Sequence, residues 1–296
     1  MSDLPHNTAL VTGGGSGINL ELARALRAKG CAVLIADIAL SPTAVAWLKS
    51  LGNQVDPQVV FHKTDVTSLE QLVEVFEVFE KRLGGVPDIV VPGAGVYEGS
   101  FPGFWDDEDE TLNYKLFDIN MLHPIRMTRI AIRKMREAKK PGTILHLSSI
   151  TAQKPSVVLP LYSVSKAAIS QFVRCMAPLD QMCGIRVVGI APGLVDTPLL
   201  RNNSGAQNHV DVAKDFLLPT EEVVKAMVAL LTEIKYAGGT VLEVGDIGSW
   251  REVHILGDAG PQGRSTRARA KTTDATAKLA TMLLGEEKNV SEFSKL

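Results

Sequence analysis

Short apolar runs alternate with amphipathic stretches along most of this chain. Residues 8–11 read as a buried strand, and residues 18–29 as an amphipathic helix stopped by Gly30. Residues 32–36 form a second strand and 59–62 a third, with a helix over 68–83 behind it. A fourth strand over 88–91 leads to a long helix over 114–138, and a fifth over 143–147 leads to a helix over 162–182. Strand 185–190, helix 221–233 and strand 240–244 complete the alternation. Strands that are apolar throughout, each separated by a helix, imply a parallel sheet covered on both faces. Right-handed crossovers make such an α/β sheet doubly wound, with a ligand crevice beyond the carboxyl ends of its strands.

Three segments break the rhythm. In residues 95–111, Tyr97, Phe101, Phe104 and Trp105 precede a run of acidic residues over 106–110. Residues 199–219 have apolar ends and a polar middle, the pattern of a substrate loop. After Gly257 the chain turns rich in Gly, Thr, Arg, Lys and Ala, with a short amphipathic helix over 274–284. The expected organisation is one domain over 1–257 and a loosely structured extension over 258–296. A length of 296 residues, 45% of them hydrophobic, suffices for one substantial core. A formal net charge of −2 gives no basic field for a nucleic-acid partner. Cys31, Cys175 and Cys183 form no Cys-x-x-Cys pair, which points to free thiols in a reducing compartment and to no metal site. No apolar stretch approaches the roughly 20 residues that span a bilayer, so no membrane partner is expected. No charged n-region precedes an apolar one at the start of the sequence, and the expected location is the cytoplasm.

The first candidate chemistry lies between the first strand and the first helix. Thr12-Gly13-Gly14-Gly15-Ser16-Gly17-Ile18 is a glycine-rich turn. There backbone N–H groups, with Gly13, Ser16, Gly17 and Ile18 as candidate contacts, approach a pyrophosphate at the positive end of a helix. Asp37 ends the second strand, where a carboxylate accepts hydrogen bonds from ribose hydroxyls and repels a 2′-phosphate. No Arg or Lys stands in the glycine turn, and Ile38-Ala39 follow Asp37, so NAD is favoured over NADP. Asp65 and Val66 close the third strand, where Asp65 accepts from the adenine amino group or belongs to the cap of the next helix. Gly93-Ala94-Gly95 lets backbone pass close to the same ligand. Pro192-Gly193-Leu194-Val195-Asp196-Thr197 follows the sixth strand as a turn for the nicotinamide carboxamide, with Val195 and Thr197 as contacts.

The second candidate is a proton-transfer site. Tyr162 and Lys166 stand four positions apart and share a helix face. A free phenol has a pKa near 10, and a neighbouring ammonium favours its ionised form. Ser149, at the end of the fifth strand, stabilises charge on a substrate oxygen. Asn120 sits four residues before Pro124, which has no N–H, so the Asn120 carbonyl loses its intrahelical donor and is free to hold a water leading to Lys166.

Taken together, Thr12-Gly13-x-x-x-Gly17, Asp37, Asp65, Asn120, Ser149, Tyr162/Lys166 and Pro192-Gly193 resemble the short-chain dehydrogenase/reductase family over residues 8–244. The resemblance implies a Rossmann-type sheet of seven parallel strands in the order 3-2-1-4-5-6-7, an Asn-Ser-Tyr-Lys site made by Asn120, Ser149, Tyr162 and Lys166, and a homodimer or homotetramer built on the two long helices. Departures from the family pattern are Asn19 for its last glycine, Pro92-Gly93 for its Asn-Asn, and Gly245-Asp246-Ile247-Gly248 for its Asp-Gly-Gly. The C-terminal region looks more like the branch containing NAD-dependent 15-hydroxyprostaglandin dehydrogenases. That branch carries a polar residue where Leu159 stands, so a prostaglandin substrate is not carried over. The expected activity is hydride transfer between NAD and a small-molecule secondary alcohol or ketone. A medium-sized hydrophobic substrate would lie among Tyr97, Phe101, Trp105, Leu199, Leu200, Phe216 and Leu217. An NADPH-dependent carbonyl reductase, and a silent dinucleotide-binding sensor or scaffold, stay open.

Overall fold

A computed structural model describes residues 8–52, 57–105, 113–207, 210–254 and Thr281. The acidic run over 106–110 and, apart from Thr281, the extension over 258–296 lie outside the described residues. One sheet carries eight strands in the order β3-β2-β1-β4-β5-β6-β7-β8. They are β1 (Thr8–Thr12), β2 (Ala32–Asp37), β3 (Val59–Lys63), β4 (Ile89–Pro92), β5 (Gly142–Leu147), β6 (Ile185–Pro192), β7 (Val241–Asp246) and β8 (Ser249–Glu252). β1 to β7 are parallel, with Leu10 opposite both Leu34 and Val90 in the centre. The helices are α1 (Gly17–Ala28), α2 (Pro42–Leu51), α3 (Leu69–Phe79), α4 (Lys115–Phe117), α5 (His123–Glu137), α6 (Pro160–Cys175), α7 (Pro178–Cys183), α8 (Pro198–Arg201), α9 (Ser204–Gln207) and α10 (Thr220–Thr232).

The continuous apolar strands have the cause the pattern implied. Successive side chains point to opposite faces, and both faces are buried. Ala9, Val11, Val33, Ile35 and Val91 pack with Leu22 and Leu26 of α1 and Met227 and Leu230 of α10. Leu10, Leu34, Val90 and Ile144 pack with Phe76 and Phe79 of α3 and Met127 and Met135 of α5. Each fully buried Leu, Val or Phe contributes about 1.5–3 kcal/mol relative to an exposed one. The two layers therefore fix the strand order that brings the carboxyl ends of β1, β4, β5 and β6 together.

Four local differences from the sequence reading have physical causes. β8, absent from the seven-strand expectation, turns back from β7 in an antiparallel pair, with Val244 opposite Trp250. Gly248 supplies the left-handed φ of +69° that the turn needs, and the buried Glu222 accepts from its N–H at 2.8 Å and from Trp250 Nε1 at 2.9 Å. α2 is likewise absent from the expected elements; Ser41 caps it by accepting from Ala44 N, with Pro42 at its first position. The helix expected over 162–182 ends at Cys175 and restarts as α7, because Pro178 interrupts the ladder. The helix expected over 114–138 is divided by a π-helical turn over Asp118–Leu122. Pro124 offers no N–H to Asn120, and the ladder slips so that His123 N bonds Asp118 O.

Candidate active site

A cavity of about 590 Å³ opens at the carboxyl ends of the strands, running from the glycine-rich turn to the first turns of α6. At one end lie Gly13, Ser16, Gly17 and Ile18, leading into the N-terminus of α1. Gly13 has φ +67°, and a Cβ there would stand 2.5 Å from Ala94 Cα, so only glycine lets the two turns approach this closely. Asp37 lines the same end, its Oδ2 taking Gly15 N at 2.8 Å and its Oδ1 Ala39 N at 3.2 Å. The carboxylate thereby clasps the glycine turn while facing the cleft. Asp65 and Val66 line the wall beside it. The Asp65 Oδ1 accepts from Thr67 N at 2.9 Å and Thr67 Oγ1 at 2.7 Å, while Ser68 makes the helix cap. Gly93, Ala94 and Gly95 form the floor, and Pro192, Gly193, Val195 and Thr197 the opposite side. The latter turn is stitched to the end of the substrate loop by Asp196 N to Leu218 O at 2.9 Å and Leu218 N to Leu194 O at 2.8 Å.

Asn19 occupies the space the family leaves to glycine. Its Nδ2 donates to Gly93 O at 2.8 Å, and a Cβ on Gly93 would meet the Asn19 amide at 2.6 Å. The Asn side chain lost beside Pro92 is thus matched by one arriving from α1, and the absence of a side chain at Gly93 makes room for it.

At the other end Ser149, Tyr162 and Lys166 converge. The Ser149 hydroxyl lies on the phenol side of Tyr162 and favours its ionised form. Lys166 Nζ stands 5.4 Å from the Tyr162 ring centroid and donates to Leu147 O at 3.0 Å. Burial pushes the Tyr162 phenol up to about 12, against the lowering effect of Ser149. Burial lowers Lys166 to about 8, still enough to hold its proton at neutral pH. Both shifts have one cause, the cost of charge in a poorly solvated site. Ser148 Oγ bonds Lys166 O at 3.0 Å and Ser170 Oγ at 2.6 Å, fastening α6 to the end of β5.

Asn120 stands in the π-helical turn, 2% exposed, and is absent from the cavity lining. Its side chain clamps the main chain of the neighbouring loop, with Val96 N to Oδ1 at 2.8 Å and Nδ2 to Val96 O at 2.9 Å. The substrate end divides the expected apolar residues. Tyr97, Phe101, Leu199 and Leu200 line the cavity. Trp105 and Phe216 are 63% and 58% exposed, and Trp105 Nε1 is spent on Val157 O at 2.8 Å. Leu217 packs against the small cluster of Tyr97, Leu159, Leu200, Ala206 and Val210 that closes the loop over the site.

Three residues with no place in the sequence reading belong here. His123 and His146 are buried beneath the site, and Glu98 is buried beside Tyr162. His123 Nδ1 faces Ile119 O at 3.1 Å and must donate, so its Nε2 accepts the Thr12 hydroxyl at 3.0 Å. Thr12 Oγ1 in turn accepts Gly93 N at 3.0 Å. The π-helical turn is thereby tied to the 93–96 segment through His123 and Thr12 as well as through Asn120. No local pattern flags these groups, because His123, His146 and Glu98 each pair with a group at least 18 positions away, at Thr12, Thr128 and Tyr162.

The fold and site define a dinucleotide-binding α/β protein with a Ser-Tyr-Lys cluster at the end of its cleft. The short chain dehydrogenase model matches residues 7–208, and the chain belongs to that family. It is 31% identical over 194 residues to galactitol 2-dehydrogenase of Agrobacterium fabrum, covering 65% of this chain and 72% of the relative. It is 30% identical over 196 residues to cis-4-hydroxycyclohexanecarboxylate dehydrogenase of Sinomonas cyclohexanicum, covering 66% and 76%. The solved structure of gox2181 matches with a TM-score of 0.67 at 25% identity, over 81% of this chain and 94% of that one. The 3-ketoacyl-(acyl-carrier-protein) reductase of Brucella melitensis, solved with NADH, matches in fold with a TM-score of 0.66 at 23% identity, over 82% and 98%. The chain is accordingly an oxidoreductase of alcohol or ketone substrates that binds a nicotinamide dinucleotide. Among the described residues no helix is long and apolar enough to cross a membrane.

Proposed function

We propose that this protein transfers hydride between NAD and a secondary alcohol or ketone of medium size and largely apolar surface, with Tyr162 as acid–base, Ser149 as oxygen ligand and Lys166 as the cation behind them. The observation that carries the reading is the convergence of these three side chains at the far end of a cleft that begins at the glycine turn. A dinucleotide fits the cradle on two counts. Gly13 to Gly17 expose backbone at the start of α1, and Asp37 faces the cleft while clasping that turn. The Asp37 carboxylate supports NAD, since a 2′-phosphate would meet a like charge there.

The nicotinamide supplies the hydride acceptor or donor when bound. The residues of the chain do the rest. With its pKa near 12, the Tyr162 phenol carries a proton at neutral pH and donates it to the oxygen of a ketone. In the oxidative direction the phenol first gives up its proton, and the phenolate, its charge offset by the Lys166 ammonium, then takes the proton of the alcohol. Ser149 holds the reacting oxygen by hydrogen bonding. Tyr97, Phe101, Leu199 and Leu200 exclude water and offer apolar surface to the substrate body. Galactitol 2-dehydrogenase and cis-4-hydroxycyclohexanecarboxylate dehydrogenase are named for the oxidation of secondary hydroxyl groups, which supports the secondary-alcohol chemistry, while the apolar character of the substrate rests on the cavity lining alone.

Titration with NAD and NADP, followed by turnover on a panel of secondary alcohols and ketones, tests the reading. Tight NAD binding without turnover of any member favours the sensor, and preference for NADP rejects the role given to Asp37.

A further inference from the structure

The loop after β4 carries a carboxylate that the reaction as described does not use. Glu98 is 6% exposed. Its Oε2 accepts the backbone N–H of Tyr162 at 2.9 Å, and its Oε1 that of Leu161 at 3.4 Å. Both belong to the first turn of α6, whose N–H groups have no partner within the helix. Pro160 has no N–H to satisfy, and the Leu159 side chain gives no cap. The opening turn of the helix bearing the Tyr-Lys pair is therefore closed by a residue 64 positions earlier. Two residues before Glu98, Val96 is gripped at both its N–H and its carbonyl by Asn120. Between them, the Tyr97 ring lies 4.8 Å from the Tyr162 ring at a tilt of 51°. Three consecutive residues thus connect the Asn120 turn to the main chain of Tyr162.

We propose that Glu98 is a positioning residue for hydride transfer, holding the Tyr162 backbone against the Asn120 turn. The proposal rests on Tyr162 being the acid–base. The phenol is faced by the Ser149 hydroxyl from the end of β5, by Lys166 from its own helix and by Tyr97 from the loop. The Glu98 charge acts, after burial and Tyr162, to push the Tyr97 phenol upward, while its hydrogen bonds go to the Tyr162 main chain. Loss of those hydrogen bonds loosens the aim of the Tyr162 phenol.

The two effects separate in two variants. Glu98→Gln keeps an acceptor for the Tyr162 N–H and removes the charge. Glu98→Ala removes both. In Glu98→Ala, amide exchange at Leu161 and Tyr162 is expected to quicken at least roughly tenfold. Its kcat should fall about tenfold or more while the Kd for NAD holds within about twofold, the signature of a contact that matters in the transition state. In Glu98→Gln the protection of Tyr162 N–H is retained and kcat is rescued to within about threefold of wild type. A helix cap without a part in the reaction would lower stability and leave kcat unchanged in Glu98→Ala. Wild-type kcat in Glu98→Ala overturns the proposal, as does a loss of kcat matched by an equal rise in the Kd for NAD. If the wild type binds NAD but turns over no alcohol, the functional reading fails and the exchange measurement alone decides the grip of Glu98 on Tyr162. Unchanged exchange in Glu98→Ala then sinks it. Should Glu98→Ala fail to fold, Glu98→Asp, which draws the carboxylate back from the Tyr162 N–H, supplies both the exchange and the kcat readout.

Discussion

Acidification from pH 7.5 to 5 should cost this fold about 4 kcal/mol through two histidines. His123 and His146 are 1% and 0% exposed. Burial, with smaller contributions from Lys166 and, for His146, from His123, lowers His123 from 6.5 to about 4 and His146 from 6.5 to about 3. The hydrogen bonds explain why neither ring accepts a second proton. The Thr128 hydroxyl spends its proton on Pro124 O at 2.8 Å, so His146 Nε2 must donate to Thr128 Oγ1 at 3.0 Å. His146 Nδ1 is then a buried lone pair without a partner, and protonating it would create a buried charge with no acceptor. His123 Nε2 accepts the Thr12 hydroxyl, and on protonation that hydroxyl would have to turn its proton to the longer contact with Val91 O at 3.4 Å.

Both folded values lie below the unfolded one, so below pH 6.5 the unfolded chain binds protons that the fold refuses. Stability is complete above about 6.5 and is lost as pH falls toward 4. At pH 5 each ring contributes about 2 kcal/mol of that loss, and the slope approaches about 2.7 kcal/mol per pH unit for the pair. The loss is a large part of the roughly 5–15 kcal/mol that holds a domain together. Lys166, lowered from 10.5 to about 8, acts above this window. The lowered carboxyls of Glu222 and Asp196, with ordinary values of 4.5 and 3.8, act below it. Urea unfolding at several pH values between 7.5 and 5, followed by tryptophan fluorescence, measures the slope. His146→Leu should roughly halve it. A wild-type stability that changes by less than about 1 kcal/mol over this range, or a slope untouched by His146→Leu, refutes the reasoning.

Other outcomes follow from the same geometry. Tyr162→Phe should lower kcat by roughly 10²–10⁴ while the Kd for NAD, read by fluorescence titration, stays close to wild type; equal rates reject the assigned acid–base. Asp37→Ala should weaken NAD by roughly 10- to 100-fold and NADP far less, measured as the ratio of kcat/KM values, because charged hydrogen bonds to the ribose are lost. Gly93→Ala, whose Cβ would stand 2.6 Å from the Asn19 amide, should lower stability by about 1–3 kcal/mol, and Asn19→Gly in the same chain should restore most of it; absence of that rescue would dismiss the steric account. Glu222→Ala strands the N–H groups of Gly248 and Trp250 and should cost about 1–3 kcal/mol in thermal or urea unfolding.

The sequence alone determined the seven parallel strands, because a strand buried on both faces must be apolar at every position and a crossover must be helical. It also located the glycine turn, Asp37, Ser149 and the Tyr162/Lys166 pair, whose chemistry depends on residue type and local spacing. It left β8 unread, since an edge strand such as Ser249–Glu252 buries too little to show a period. It placed a proline effect at Asn120, yet only the packed chain turned the missing N–H into a π-helical turn that aims the Asn120 side chain at Val96. The swap between Asn19 and Gly93, the tautomers of His123 and His146 and the capping of α6 by Glu98 were decided by tertiary structure. These pairings join groups from four positions apart, as in His123 and Ile119, to 74 apart, as in Asn19 and Gly93, and they persist only once burial has removed water as the alternative partner.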